Sequence, residues 1–223
     1  MIAKAPLWLS RGPLIAAAAL LAGLLGACGP TSAESPPAAE PMSSDSNQDV
    51  GVAVFAGGCF WCTEADFDKV AGVLSTTSGY IGGHVANPSY QQVSAGDSGH
   101  LEAVQVRYDP NQTSYAKLLE AYWPTIDPLT PNAQFCDHGS QYRSAIFYST
   151  PEEKALAEAS RDALQASGRF SQPIVTEILP ATSFYPAEDY HQNYYQKNPL
   201  RYAYYRHGCG RDARLEQLWG KKH

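Results

Sequence analysis

The sequence predicts an α+β fold: one domain in which a mixed β-sheet forms one layer and helices pack against one side of it as a second. Two observations predict it. Strand-like and helix-like runs follow one another in a mixed order, neither as strict repeats nor as separate blocks. The first 49 or so of the 223 residues do not read as folded, and what remains is one domain of ordinary size, long enough to bury a core. The order of strands in the sheet is not legible at this stage.

The chain begins with a leader. Lys4 and Arg11 precede an apolar run from Pro13 to Leu25, the pattern of a secretory signal, and the run is short of the roughly 20 apolar residues that a membrane span needs. Leu25-Gly26-Ala27-Cys28 resembles a bacterial lipoprotein signal box. That resemblance implies a signal peptide over residues 1–27, cleavage before Cys28 and lipid on Cys28. The plainer alternative is a secreted protein cut near Ala27 with Cys28 free. Residues 28–49 are rich in Pro, Ser, Ala and Glu and cannot bury enough surface to offset their ordering, so they read as a disordered tether. The expectation is a domain on the periplasmic or cell-surface side, held to a membrane by a lipid anchor. A net charge of −6 without any Lys/Arg cluster argues against a nucleic-acid partner.

The domain is expected over residues 50–223. Val52 to Ala56 reads as a strand running into Gly57-Gly58. Cys59 then falls at the first turn of a helix, where free N–H groups and the helix dipole favour a thiolate. Phe60, Trp61 and Cys62 follow, with helical character from Cys62 to Val70. Val73 to Ile81 reads as a strand, and Asn87-Pro88-Ser89-Tyr90 as a turn by composition. Tyr90 is there either a hydrogen-bond donor or a loop tyrosine filling a surface gap. Gly99 to Tyr108 contains an alternating strand, and parity puts Glu102 on the apolar face of Val104 and Val106. A carboxyl buried there has a raised pKa and can stay protonated.

Ser114 to Trp123 is an amphipathic helix with Tyr115, Leu118, Leu119 and Tyr122 on its apolar face, ended by Pro124 and Pro128. Phe135 to Ser144 is a polar loop before a strand at Ala145 to Tyr148. Thr150, Pro151, Glu152 and Glu153 supply a cap, an N1 proline and two acids for a helix reaching about Ser167, ended by Gly168. Pro173 to Leu179 alternates as a strand. His191 reads as a structural, hydrogen-bonded histidine. The tail from Arg201 is basic and aromatic, ending in a short helix with Leu215, Leu218 and Trp219 available for docking. Cys209 lies between two glycines in a spot that reads as mobile.

Beyond Cys28 there are four cysteines: Cys59, Cys62, Cys136 and Cys209. In an exported domain that number is too small for a disulfide scaffold and suits redox work. A zinc site would draw on Cys59, Cys62, Cys136 and His138, but no second Cys pair follows at zinc-ribbon or finger spacing, so no metal is expected.

Gly57-Gly58-Cys59-Phe60-Trp61 resembles the signature of the A-class peptide methionine sulfoxide reductases. Three further blocks are similar to that family: Gly99-His100-Leu101-Glu102, the run from Asp137 through Gln141-Tyr142-Arg143-Ser144, and Phe184 to Gln192. The resemblance extends from about Val52 to at least Pro199. It implies a two-layer sandwich and reduction of methionine S-sulfoxide, free or in proteins, by way of a sulfenic acid on Cys59 and then a disulfide. Glu102 is then the acid, Tyr90 and Tyr142 hydrogen-bond donors, and Asp137 a group that lines and polarises the site. Phe60 and Trp61 wall the S-methyl group. No bound cofactor is implied, only an external thioredoxin-like dithiol, and the chain is expected to be a monomer that repairs oxidised extracytoplasmic proteins.

The chain departs from the family pattern in three places. Leu101 replaces a small residue, Cys136 stands where asparagine is commonest, and Ala203 stands near where a tail cysteine is often found. The cysteine that resolves the sulfenic acid is therefore open among Cys62, Cys209 and Cys136. The reading leans to Cys62, with Cys136–Cys209 as a second bridge. The alternative activity is a general thiol–disulfide oxidoreductase using Cys59 and Cys62, which needs none of Glu102, Tyr90 or Tyr142.

Overall fold

A computed structural model describes residues 50–221. The expected signal peptide, lipid site at Cys28 and tether lie outside the described residues, as do the last two residues of the tail.

Six strands form the main sheet: β1 (Gly51–Gly57), β2 (Val73–Ile81), β3 (Leu101–Tyr108), β6 (Ser144–Tyr148), β7 (Glu177–Pro180) and β8 (Tyr185–Pro186). They lie in the order β7-β6-β1-β3-β2-β8. Only the β6–β7 pair is parallel; all other neighbours are antiparallel. The sheet is mixed, as the sequence predicts. β4 (Ala133–Gln134) and β5 (Asp137–His138) pair separately as a two-stranded ribbon. The helices are α1 (Phe60–Phe67), α2 (Tyr90–Ser94), α3 (Tyr115–Tyr122), α4 (Pro151–Ala166), α5 (Tyr194–Lys197), α6 (Pro199–Gly208) and α7 (Arg211–Trp219).

The alternation of the strands divides the core. Ala53, Phe55, Tyr80, Val104, Val106 and Ile146 meet Phe60 and Phe67 of α1, Tyr115, Leu118, Leu119 and Tyr122 of α3, and Ala157 of α4. This is the helical layer. The opposite face, with Val54, Ala56, Ile81, Leu101, Ala103, Ala145 and Phe147, carries a smaller cluster that Leu179 and Phe184 cover.

The capped helices form where the sequence places them. Ser114 and Thr150 accept the N3 amides of α3 and α4, and Gly168 takes a positive φ of 71° just beyond α4. Other boundaries differ. α1 ends at Phe67, not Val70. Trp123 leaves α3 for a 3₁₀ turn, Trp123–Thr125, because Pro124 has no N–H to continue the α ladder. The Phe135–Ser144 loop contains the β5 strand and a 3₁₀ turn, Ser140–Tyr142. Tyr90 opens a helix instead of sitting in a turn, because Ser89 and Gln92 form a reciprocal capping box. The strand expected over Pro173–Leu179 pairs only from Glu177. Val175 donates its N–H to Pro128 O, away from the sheet. The tail holds two further helices, α5 and α6, that the residues did not announce.

Candidate functional site

The site is built where β1 turns into α1. Gly58 makes that turn at φ +82°, and a Cβ on it would meet Gln134 Cβ at 2.5 Å. Both facts require glycine. Cys59 is the N-cap of α1, and its carbonyl accepts the Cys62 amide at 3.1 Å. Cys59 and Cys62 are free thiols, both buried. The expectation of a ready thiolate at Cys59 is corrected here. Burial pushes its thiol well above the ordinary range, the neighbouring Cys62 and Glu102 push it further, and only the Tyr205 hydroxyl opposes them. Cys62 moves the other way, to about 7. The hydrogen bond with the Cys59 thiol lowers it most, burial opposes, and the Arg211 and Arg206 guanidiniums add to the lowering.

Glu102 lies beside this turn, 2 % exposed on the helical face of β3, as parity predicts. Its Oε2 accepts the Phe60 N–H at 3.0 Å. Burial pushes the carboxyl up to about 8, the Phe60 N–H partly opposes this, and Asp137 and Cys62 raise it further. At neutral pH the carboxyl is mostly protonated, an acid poised to donate.

Tyr90 is held from behind: its N–H donates to Glu188 Oε1 at 2.8 Å, while Glu188 Oε2 accepts the Tyr80 hydroxyl at 2.9 Å. Burial pushes the Tyr90 phenol up to about 12 and raises that of Tyr142, so both stay protonated donors. Trp61 stacks on Tyr194 at 3.8 Å and donates its indole N–H to His191 Nδ1 at 3.0 Å. His191 is thus buried and hydrogen-bonded, the structural role read from the sequence, and it also packs on Phe60.

Cys59, Phe60, Trp61, Tyr90, Glu102, Asp137 and Tyr142 line one pocket of about 70 Å³, together with Tyr205. The pocket is small and lined by aromatic rings, two carboxyl groups and the Cys59 thiol, a setting for a small polar head with a methyl group. A larger hollow of about 600 Å³, between Pro124, Arg169 and Trp219, shares none of these residues.

Tyr205 is the wall that the sequence did not reveal. It lies on α6, and its hydroxyl donates to Asp137 Oδ2 at 2.5 Å. No motif marks it within the run Tyr202-Ala203-Tyr204-Tyr205. Cys136 and Cys209 are joined in a disulfide with Cα atoms 5.0 Å apart, tying the ribbon that carries Asp137 to the C-cap of α6. Cys209 is therefore pinned, not in a mobile spot. Donor atoms of Cys136, Asp137 and Cys209 lie within 4.8 Å of one another, but the two sulfurs are bonded to each other and offer no thiolate to an ion.

Residues 51–223 match the family model described as peptide methionine sulfoxide reductase. The chain is 54% identical over 169 residues to the peptide methionine sulfoxide reductase MsrA of Halalkalibacterium halodurans, covering 76% of this chain and 96% of that one. To the Bacillus subtilis protein of the same name it is 50% identical over 171 residues, 77% of this chain and 97% of the other. Among solved structures, it is similar to methionine sulfoxide reductase A of Corynebacterium diphtheriae, with a TM-score of 0.61 and 36% identity over 68% of this chain and 76% of that one. Mxr1 of Saccharomyces cerevisiae in its reduced form gives a TM-score of 0.64 at 32% identity, over 67% and 86% of the two chains.

Proposed function

The chain belongs to the peptide methionine sulfoxide reductase family, and from that premise we propose that Cys59 is the nucleophile that takes the oxygen from methionine S-sulfoxide while Glu102 protonates that oxygen. The observation that carries this reading is the placement of the Cys59 thiol and the protonated Glu102 carboxyl on one small pocket, with the Phe60 N–H holding the carboxyl in place. Tyr90 and Tyr142 donate to the sulfoxide oxygen, Asp137 polarises the site, and Phe60 and Trp61 hold the S-methyl group. Methionine leaves and Cys59 becomes a sulfenic acid.

Cys62 then resolves it, forming Cys59–Cys62 and releasing water. Three features support Cys62 over the other two thiols. It is hydrogen-bonded to Cys59, its pKa is lowered to about 7, and Cys136 and Cys209 already occupy each other. An external dithiol of thioredoxin type reduces the new disulfide by exchange. A general thiol–disulfide oxidoreductase would leave the Glu102 carboxyl and the phenol groups without a task.

Substrates in this reading are free methionine sulfoxide and oxidised proteins outside the cytoplasm. The leader, Cys28 and tether support export and anchoring, and the Cys136–Cys209 disulfide is of a kind that persists in an oxidising compartment. Single-turnover assays with each epimer, counting thiols lost per methionine formed, test the reading. Expected is one methionine per enzyme from the S epimer only, with none from Cys59→Ser. Cys62→Ser should still release one methionine but form no disulfide; a full disulfide in that variant sinks the assignment of Cys62.

A further inference from the structure

The thiol of Cys59 must lose its proton as it attacks, and Glu102, already protonated, cannot take it. The Tyr205 hydroxyl shares the pocket of the Cys59 thiol and donates to Asp137 Oδ2 at 2.5 Å. A phenol has one proton. With that proton directed to Asp137, its oxygen is left to accept the Cys59 S–H. All three side chains line the same pocket.

We propose that Tyr205 is a further catalytic residue: it relays the Cys59 proton to Asp137, which serves as the base for the first step. The proposal rests on the reading of Cys59 as nucleophile and Glu102 as acid. Cys59 gives its proton to the Tyr205 oxygen while Tyr205 passes its own to Asp137. The Cys59 sulfur takes the oxygen from the sulfoxide, the S–O bond of the substrate breaks, and Glu102 supplies the proton of the new S–OH. Sulfur in the substrate is reduced by two electrons and Cys59 is oxidised by two. When Cys62 attacks the sulfenic acid, Asp137 returns its proton through Tyr205 to the departing hydroxyl, which leaves as water. The proton lost by Cys62 makes up the one spent by Glu102.

The surroundings of the relay fit a proton path. Burial raises the Asp137 carboxyl, which makes it a better base, while the Tyr205 hydroxyl and the Arg211 and His138 side chains oppose the rise. Glu102, Tyr90 and Tyr142 feel its charge across the pocket. Cys59 is faced by Cys62, Glu102 and Tyr205. The disulfide from Cys136, next to Asp137, to Cys209, at the end of the helix bearing Tyr205, holds donor and base in register.

The test is the burst of methionine from N-acetyl-methionine S-sulfoxide in one turnover, which reads the first step without the resolving cysteine. Tyr205→Phe keeps the ring and should slow the burst at least tenfold, as should Asp137→Asn. The double variant should be no slower than the slower single one. Tyr204→Phe, one residue away and exposed, should match the wild type. The acid-side fall of the burst rate, set by ionisation of Asp137, should be present in the wild type and absent from Tyr205→Phe. A loss under tenfold in Tyr205→Phe, multiplying losses in the double variant, or an acid limb retained in Tyr205→Phe overturns the relay. Methionine release by Cys59→Ser would instead overturn the reading beneath it.

Discussion

Glu102 shows how much a single residue can say. Its parity with Val104 and Val106 marked it as a carboxyl on the buried face of a strand, and it is 2 % exposed there. Burial raises its pKa to about 8, against about 4.3 in an unfolded chain. The linkage follows from that sign. The folded state binds the proton more tightly than the unfolded one, so the group's relative stability is fully present below the unfolded value and falls as pH rises through about 8. The same proton is the one used on the sulfoxide. Glu102→Gln should therefore cut the methionine burst by about 10²-fold or more, while raising stability above pH 8 by an amount on the order of a few kcal/mol. In the wild type the burst should decline as pH passes through about 8. Urea unfolding at pH 6 and pH 9 checks the stability half, and a variant less stable than the wild type at pH 9 contradicts it. Tyr205 teaches the opposite lesson. Nothing in its sequence neighbourhood separates it from Tyr204, and only the docking of α6 distinguishes a pocket wall from a ring that is 84 % exposed.

Elements were legible in proportion to how local their causes are. α3 and α4 were bounded well because Ser114, Thr150 and Gly168 act within a turn of where they sit. β7 was read too long because pairing, not alternation, ends a strand, and β6 offers it a partner only from Ala145↔Glu177 onward. The tail was read as one short helix because the order of α5 and α6 comes from contacts far away in sequence, such as Tyr205 with Asp137, 68 residues apart. The Cys136–Cys209 bridge belongs to this class of long-range cause. It closes a loop with a sequence separation of 73. Chain-entropy arguments put the worth of such a link at about 4 kcal/mol, an upper figure when native strain is ignored. Cys209→Ser should lower the denaturant midpoint without changing the fold, and a thiol reductant should then lower the wild-type midpoint to match but leave the variant unmoved. Equal midpoints for oxidised wild type and variant would mean that the bridge does not hold α6.

At the scale of the whole molecule, the C-terminal third closes over the sheet and helices that precede it. Gln192 bonds to Ser78, Asn193 to Glu64, Arg206 to Asp66, Arg214 to Asp127 and the Trp219 indole to Ile126 O. Arg211 is the innermost of these ties, 2 % exposed. Its guanidinium donates to Gly57 O at 3.2 Å and to Thr125 O at 2.7 Å and lies over the Phe135 ring at 4.4 Å. Replacing it with methionine sets two effects against each other. The buried charge no longer has to be desolvated, which favours the variant. The two carbonyls, however, are backbone groups that cannot be exchanged for apolar ones, and stranding each costs about 1–3 kcal/mol. The second effect wins, so Arg211→Met should lose about 2–3 kcal/mol in urea unfolding with an unchanged slope. A chemical signature should accompany it. Arg211 helps hold Cys62 near 7, and without that charge the Cys62 thiol moves up toward its ordinary value. Disulfide formation after the methionine burst should then be slow at pH 7 and recover by pH 9 in the variant, while the wild type changes far less over that range. A variant as stable as the wild type, with disulfide formation equally fast at pH 7, would show that the tail closes the molecule without tuning its second thiol.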